Sequence, residues 1–301
     1  MSIRPVKRII ESKPTLEGAG VRLRRAFGFG STKEFDPFLL LDDFRNDHPE
    51  DYVAGFPWHP HRGIETITYV LAGSVSHGDS LGNSGTLGAG DVQWMTAGSG
   101  ILHQEMPKGD PRGRMHGFQL WANLPSSLKM ADPRYQDIAA RDIPEITDDD
   151  GTLVRVVCGT FWGKTGPVDD VAADPRYIDV HVPPGRRKTL PVETTSNAFA
   201  YIFDGSGTFR DASAPQGVLT EQLDPAATLV REPVGNRSLV LFGRGDEVTV
   251  QAGEDGIRFL LVSGRPIEEP VAWHGPIVMN TREELEQAYA ELQDGTFIKH
   301  P

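Results

Sequence analysis

Along most of the chain, short runs of aliphatic, aromatic and β-branched residues end at Gly, Pro, Asn or Asp, as in Glu65-Thr-Ile-Thr-Tyr-Val-Leu71 closed by Ala72-Gly73. Runs of this length at short intervals predict the strands of a β-sandwich or barrel. Others fall at residues 91–96, 153–159, 177–182, 197–203, 238–242 and 257–262. The turn Phe203-Asp-Gly-Ser-Gly207 echoes Val70-Leu-Ala-Gly-Ser74 after a similar apolar strand, which points to a repeated domain. Between the two β-rich blocks, Asp132-Pro-Arg-Tyr135 and Asp148-Asp-Asp-Gly151 read as linker and turn, so the boundary is expected between 130 and 145. Two domains are therefore predicted, 1–135 and 136–301. The period changes at the end of the chain, where Thr281-Arg-Glu-Glu284 is a capping box. A helix over about 282–293 should follow, with Leu285, Ala288, Tyr289 and Leu292 on the side that packs against a barrel.

Composition narrows the class. A chain of 301 residues exceeds the usual size of a single core, and 33 Gly with 23 Pro describe a turn-rich globular protein. Lys and Arg number 30 against 42 Asp and Glu, and a formal charge of −12 repels nucleic-acid phosphates. No segment reaches the roughly 18 apolar residues of a membrane span, and the N-terminus lacks the apolar run of a signal peptide. A cytoplasmic location is expected. The lone Cys158 follows Val156-Val157 and reads as a buried strand thiol.

The candidate chemistry lies in two pairs, His59-x-His61 and His103-x-Glu105. Alternate residues of a strand share a face, so both members of each pair can reach one point. Three imidazoles and a carboxylate suit a divalent first-row metal with open positions for a substrate or dioxygen. If Gly63 makes no bulge, His59, His61, Glu65, Ile67, Tyr69 and Leu71 line one face together. Phe56, Trp58, Trp94 and Met95 are candidate walls for a flat substrate. His48, His77 and His116 lie outside the paired spacing; His77 and His116 are candidates to line the pocket, with surface placement the equal alternative. Arg62 reads as a rim or surface charge, and His181 as structural or surface.

Further residues give these motifs a family. Gly55-x3-His59-x-His61-x3-Glu65-x7-Gly73, followed by a Gly-rich turn and a third histidine, is similar to the two-motif pattern of the cupin superfamily. Four blocks resemble the signature blocks of the pirin family: Phe35-Asp-Pro-Phe-Leu-Leu-Leu-Asp-Asp-Phe44, Gly55-Phe-Pro-Trp-His-Pro-His-Arg-Gly-Ile-Glu65, Gln93-Trp-Met-Thr-Ala-Gly-Ser-Gly-Ile-Leu-His-Gln-Glu-Met106 and Gly117-Phe-Gln-Leu-Trp-Ala-Asn-Leu-Pro125. The later half resembles the family mainly in length and strand content.

The resemblance implies an all-β bicupin: two tandem double-stranded β-helix barrels, with one Fe(2+) in the first barrel and no metal site in the second. Its ligands fall on His59, His61, His103 and Glu105. Many other cupins use the glutamate at the position of Glu65 as a ligand, and here Glu65 is expected instead to hydrogen-bond a ligating imidazole. Other divalent first-row metals would also fit the donor set. Pirin-family members are associated with quercetin 2,3-dioxygenase activity, in which dioxygen opens a flavonol and carbon monoxide is released; Glu105 would take the proton. They are also associated with transcriptional co-regulation and with binding metabolic enzymes, which implies the alternative of a metal-bearing regulatory module with a protein partner. Cupins host many chemistries, and another reaction on an unknown small molecule is a third reading.

Overall fold

The structure is a computed structural model that describes residues 2–210 and 233–299. The chain forms two compact units, and neither is one continuous stretch. One comprises Met1–Glu11, Glu145–Thr165 and Arg176–Ser263; the other comprises Ser12–Pro144, Gly166–Pro175 and Gly264–Pro301. These compact units differ from the expected division at 135/136 at three places. The strand Val6–Glu11 pairs with Ser238–Phe242, so it belongs with the later block. Residues after 263 belong with the earlier one. Arg134 and Tyr135, expected as linker, begin a strand, Arg134–Ile138, paired with Val92–Thr96.

The unit built mainly from the later block has one large sheet, in the order Val6–Glu11, Ser238–Phe242, Asn197–Phe209, Glu247–Gly264, Arg176–Val182, Leu153–Cys158 and Glu145–Thr147. Its core is lined by alternate residues such as Val154, Val156, Val180, Ala200, Val240 and Phe259. Cys158 is buried and His181 is exposed. The expected turn at 203–207 is not a strand end. Asn197–Phe209 runs through it, with the bend absorbed at Gly205 (φ +65°), where a Cβ would lie 2.2 Å from the Gly256 carbonyl oxygen.

The other unit contains a seven-stranded and a four-stranded sheet. In the first the order is Arg134–Ile138, Val92–Thr96, Ile64–Ala72, His116–Asn123, Phe38–Asp43, Val21–Phe27 and Lys13–Glu17. In the second it is Phe56–His61, Ile101–Lys108, Ser74–Asp79 and Ser84–Leu87. Both sheets line one cavity. The helix Arg282–Gln293 starts with reciprocal bonds: the Glu284 amide donates to Thr281 Oγ1 at 3.2 Å, and the Thr281 amide donates to Glu284 Oε2 at 3.0 Å. Leu285, Ala288, Tyr289 and Leu292 pack it onto Ile277, Met279 and Phe297. No described helix is long and apolar enough to cross a membrane.

Candidate metal centre

The two histidine-bearing strands are neighbours. Phe56–His61 pairs antiparallel with Ile101–Lys108, so that His59 faces His103; the register then shifts, and Glu105 faces Phe56. Ligand atoms of His59, His61 and His103 all lie within 4.8 Å of one another. His61 and His103 are each 1% exposed. Glu105 is buried in the same barrel and lines the same cavity as His59 and His61, but it stands outside the three-histidine group.

Hydrogen bonding sets the tautomers. His59 Nδ1 lies 2.9 Å from the Pro57 carbonyl oxygen, and His61 Nδ1 lies 3.1 Å from that of Pro276. A carbonyl only accepts, so each Nδ1 carries a proton and each Nε2 presents a lone pair. These two Nε2 atoms face each other at 3.1 Å. Burial holds all three imidazoles below the usual histidine range, and for His103 the neighbouring His61, His59 and His77 add to it. Neutral rings leave no proton between the facing lone pairs. A shared cation resolves the clash, and two ligands about 2.1 Å from one metal at a right angle stand about 3 Å apart. Both ring nitrogens of buried His103 also lack a hydrogen-bond partner among the described residues. The residues fit a metal ion.

Burial pushes the Glu105 carboxyl up to about 7, only partly offset by the Thr68 hydroxyl, which donates to Oε1 at 3.2 Å. Glu65 behaves differently from expectation. Gly63 turns the chain at φ +75°, and Phe56–His61 and Ile64–Ala72 enter different sheets, so the shared odd parity is broken. Thr68 lines the cavity, and strand alternation turns Glu65, Ile67 and Tyr69 to the other face. Glu65 Oε1 accepts from Thr96 Oγ1 at 2.9 Å, and no imidazole among the described residues bonds to it. The imidazoles are oriented by backbone carbonyls instead. Trp94 pairs with Ile67 and shares that outer face, while Met95 packs in an apolar cluster with Ile64, Ala97 and Ile101. Of the four expected walls, Phe56 and Trp58 border the cavity, and Trp94 and Met95 do not.

The cavity holds about 480 Å³, with Val21, Leu23, Leu40, Phe44, Trp121 and Trp273 among its apolar walls. Trp273 and Pro276 come from the far end of the chain, and no local signal marks them. The polar lining residues Arg25, Asp42 and Gln119 were also missed as site residues; two charged residues in the apolar run Phe38-Leu-Leu-Leu-Asp-Asp43 are the available hint.

Arg62, expected at the rim, is 2% exposed. Just past the strand end, bridged to Ile277, it donates from Nε to the Ser99 carbonyl at 2.7 Å and from Nη2 to that of Phe297 at 2.8 Å. Its Nη1 donates to Glu291 Oε2 at 2.7 Å. Lys129 Nζ donates to the carbonyls of Gly63 and Val278 at 2.7 and 3.0 Å. The C-terminal segment that supplies Pro276 is therefore fastened on both sides of the turn after His61. His77 is buried beside Gln93, with Nε2 3.0 Å from the amide nitrogen; His48 is exposed and His116 half-buried.

Comparison with known proteins agrees with this architecture. Residues 20–122 match the family model described as Pirin, and residues 177–298 match the Pirin C-terminal cupin domain. A pirin-like protein of Caulobacter vibrioides is 45% identical over 99% of this chain and 100% of its own length. A Pseudomonas aeruginosa protein that bears the provisional name quercetin 2,3-dioxygenase is 42% identical, with 97% of each chain covered. The crystal structure of quercetin 2,3-dioxygenase from Acinetobacter baumannii superposes with a TM-score of 0.85 at 29% identity, covering 98% of this chain and 99% of that one. With both halves matched and relatives aligned end to end, the chain belongs to the pirin family and carries its two cupin domains in tandem.

Proposed function

We propose that this protein is an iron-dependent dioxygenase that opens a flavonol in the manner of quercetin 2,3-dioxygenase. The observation that carries the reading is the pair of lone-pair-bearing Nε2 atoms of His59 and His61, 3.1 Å apart beside buried His103 and bordering a largely apolar cavity. His59, His61, His103 and Glu105 would hold one Fe(2+) per chain, and other first-row divalent ions would suit the same donors. When bound, the metal supplies Lewis acidity toward the hydroxy-ketone oxygens of the substrate and a place for dioxygen.

The remaining work falls to the chain. Phe56, Trp58, Trp121 and Trp273 offer aromatic faces to a flat substrate and keep water from it. Glu105, pushed up to about 7 by burial, has the proton affinity to accept the hydroxyl proton of a flavonol near neutral pH. Thr68 holds its Oε1, and Oε2 has no hydrogen bond among the described residues. Dioxygen enters the ring-opened product and one ring carbon leaves as carbon monoxide, so no other oxidant is required. The names carried by the Pseudomonas and Acinetobacter proteins support this substrate class.

The test is the loss of quercetin absorbance in aerobic buffer, with iron-loaded protein, metal-stripped protein and His61→Ala compared. Many turnovers with the iron-loaded protein alone are expected. No turnover by a protein holding one iron per chain would sink the dioxygenase and favour the regulatory module, whose partner affinity should then depend on the metal.

A further inference from the structure

On the seven-stranded sheet, a row of polar residues crosses four neighbouring strands in register. Arg25 pairs with Asp42, Asp42 with Gln119, and Gln119 with Thr68. Residues paired across strands share a face, and all four line the cavity. At about 4.8 Å between strands, the row runs about 14 Å from Arg25 to Thr68, whose hydroxyl touches Glu105.

The far end of this row is a preorganised cluster. Arg25 donates from Nε to Asp42 Oδ1 at 2.8 Å and from Nη2 to Asp42 Oδ2 at 2.7 Å. The same Nη2 lies 2.8 Å from Glu17 Oε1. Arg25 Nη1 makes no hydrogen bond among the described residues. The Thr68 hydroxyl has one proton for two oxygens, Gln119 Oε1 at 2.7 Å and Glu105 Oε1 at 3.2 Å, and whichever takes it, at least one Gln119 amide N–H has no partner among the described residues. A clamp that served only to join strands would have no need to leave donors unused along a cavity wall.

We propose that Arg25 and Asp42, with Gln119, form the subsite that recognises the hydroxylated edge of an aromatic substrate whose other end lies at the histidine centre. The inference rests on the flavonol reading and assigns its second anchor. Each phenolic hydroxyl both accepts and donates: Arg25 Nη1 and the Gln119 amide supply donors, and the Asp42 and Glu17 carboxylates supply acceptors. One guanidinium against two carboxylates leaves the cluster net negative, so it selects neutral vicinal hydroxyls over a carboxylate or phosphate.

The test is binding rather than turnover. Iron-loaded protein is titrated without oxygen against quercetin and against 3-hydroxyflavone, which lacks the extra hydroxyls, by quenching of tryptophan fluorescence. Quercetin should bind about tenfold tighter, the effect of one hydrogen bond to a charged group. In Arg25→Met/Asp42→Leu, which leaves no unpaired charge within the pair, that ratio should fall to within about twofold while 3-hydroxyflavone binds as before. If the double variant fails to fold, Arg25→Lys serves, since an ammonium cannot hold the bidentate fork and present Nη1 together. A ratio that survives substitution, or no preference in the unaltered protein, overturns the subsite and leaves the flavonol reading standing. Failure of both compounds to bind overturns both.

Discussion

Replacing Glu65 by glutamine tests the most consequential correction to the sequence reading. Burial pushes this carboxyl from 4.5 up to about 7, with the Thr96 hydroxyl opposing the shift. The folded protein therefore keeps a proton that the unfolded chain releases above pH 4.5. Its contribution is present below that pH, is lost as pH rises toward 7, and stays lost above. A displacement of about 2.5 units corresponds to roughly 3 kcal/mol. Glutamine carries no charge at any pH and can still accept the Thr96 bond. Glu65→Gln should thus gain about 3 kcal/mol over the parent protein at pH 8 and almost nothing near pH 4.5, read from urea unfolding of both proteins at each pH. Metal analysis should find the same iron content, because the side chain faces away from the cavity. An equal effect at both pH values would refute the buried-charge argument. Loss of iron would refute the strand orientation.

The ligand set gives sharper losses. His61→Ala removes one of the two facing nitrogens and should lower metal affinity on the order of 100-fold or more; full iron content after dialysis would exclude His61 as a ligand. Protonation of Glu105 competes with metal, so affinity in the parent protein should fall about fivefold between pH 7 and pH 6, and Glu105→Gln should flatten that profile while weakening binding; isothermal titration at several pH values decides it. Arg62→Met leaves the buried Ser99 and Phe297 carbonyls without their donor, while Glu291 keeps Lys299 and Gln287, for an expected cost of about 2 kcal/mol; an unchanged unfolding midpoint would show that the C-terminal segment holds without it.

Much of this protein was legible from local pattern. Two-residue spacing suffices to bring His59 with His61, and His103 with Glu105, to one side of a strand, since alternation is a property of the backbone itself. The capping box at Thr281 and Glu284 is equally local, and the helix starts there. Tertiary structure decided what depends on distant chain. Whether parity carried across Gly63 depended on a left-handed turn made tight by the Val278 carbonyl, where a Cβ would lie only 1.9 Å away. Glu65, Trp94 and Arg62 changed faces or depth for that reason and through strand pairing. The proton on His61 is set by Pro276, 215 residues away, and the cavity wall is completed by Trp273. The first strand joined the unit of the later block for the same reason: pairing depends on which edge is open after collapse, and no residue near Val6 encodes that. Composition, period and motif determined the class, the strands and the metal-binding residue types, because those follow from neighbours in sequence; the tautomers, the faces and the cavity followed only from contacts between segments far apart in the chain.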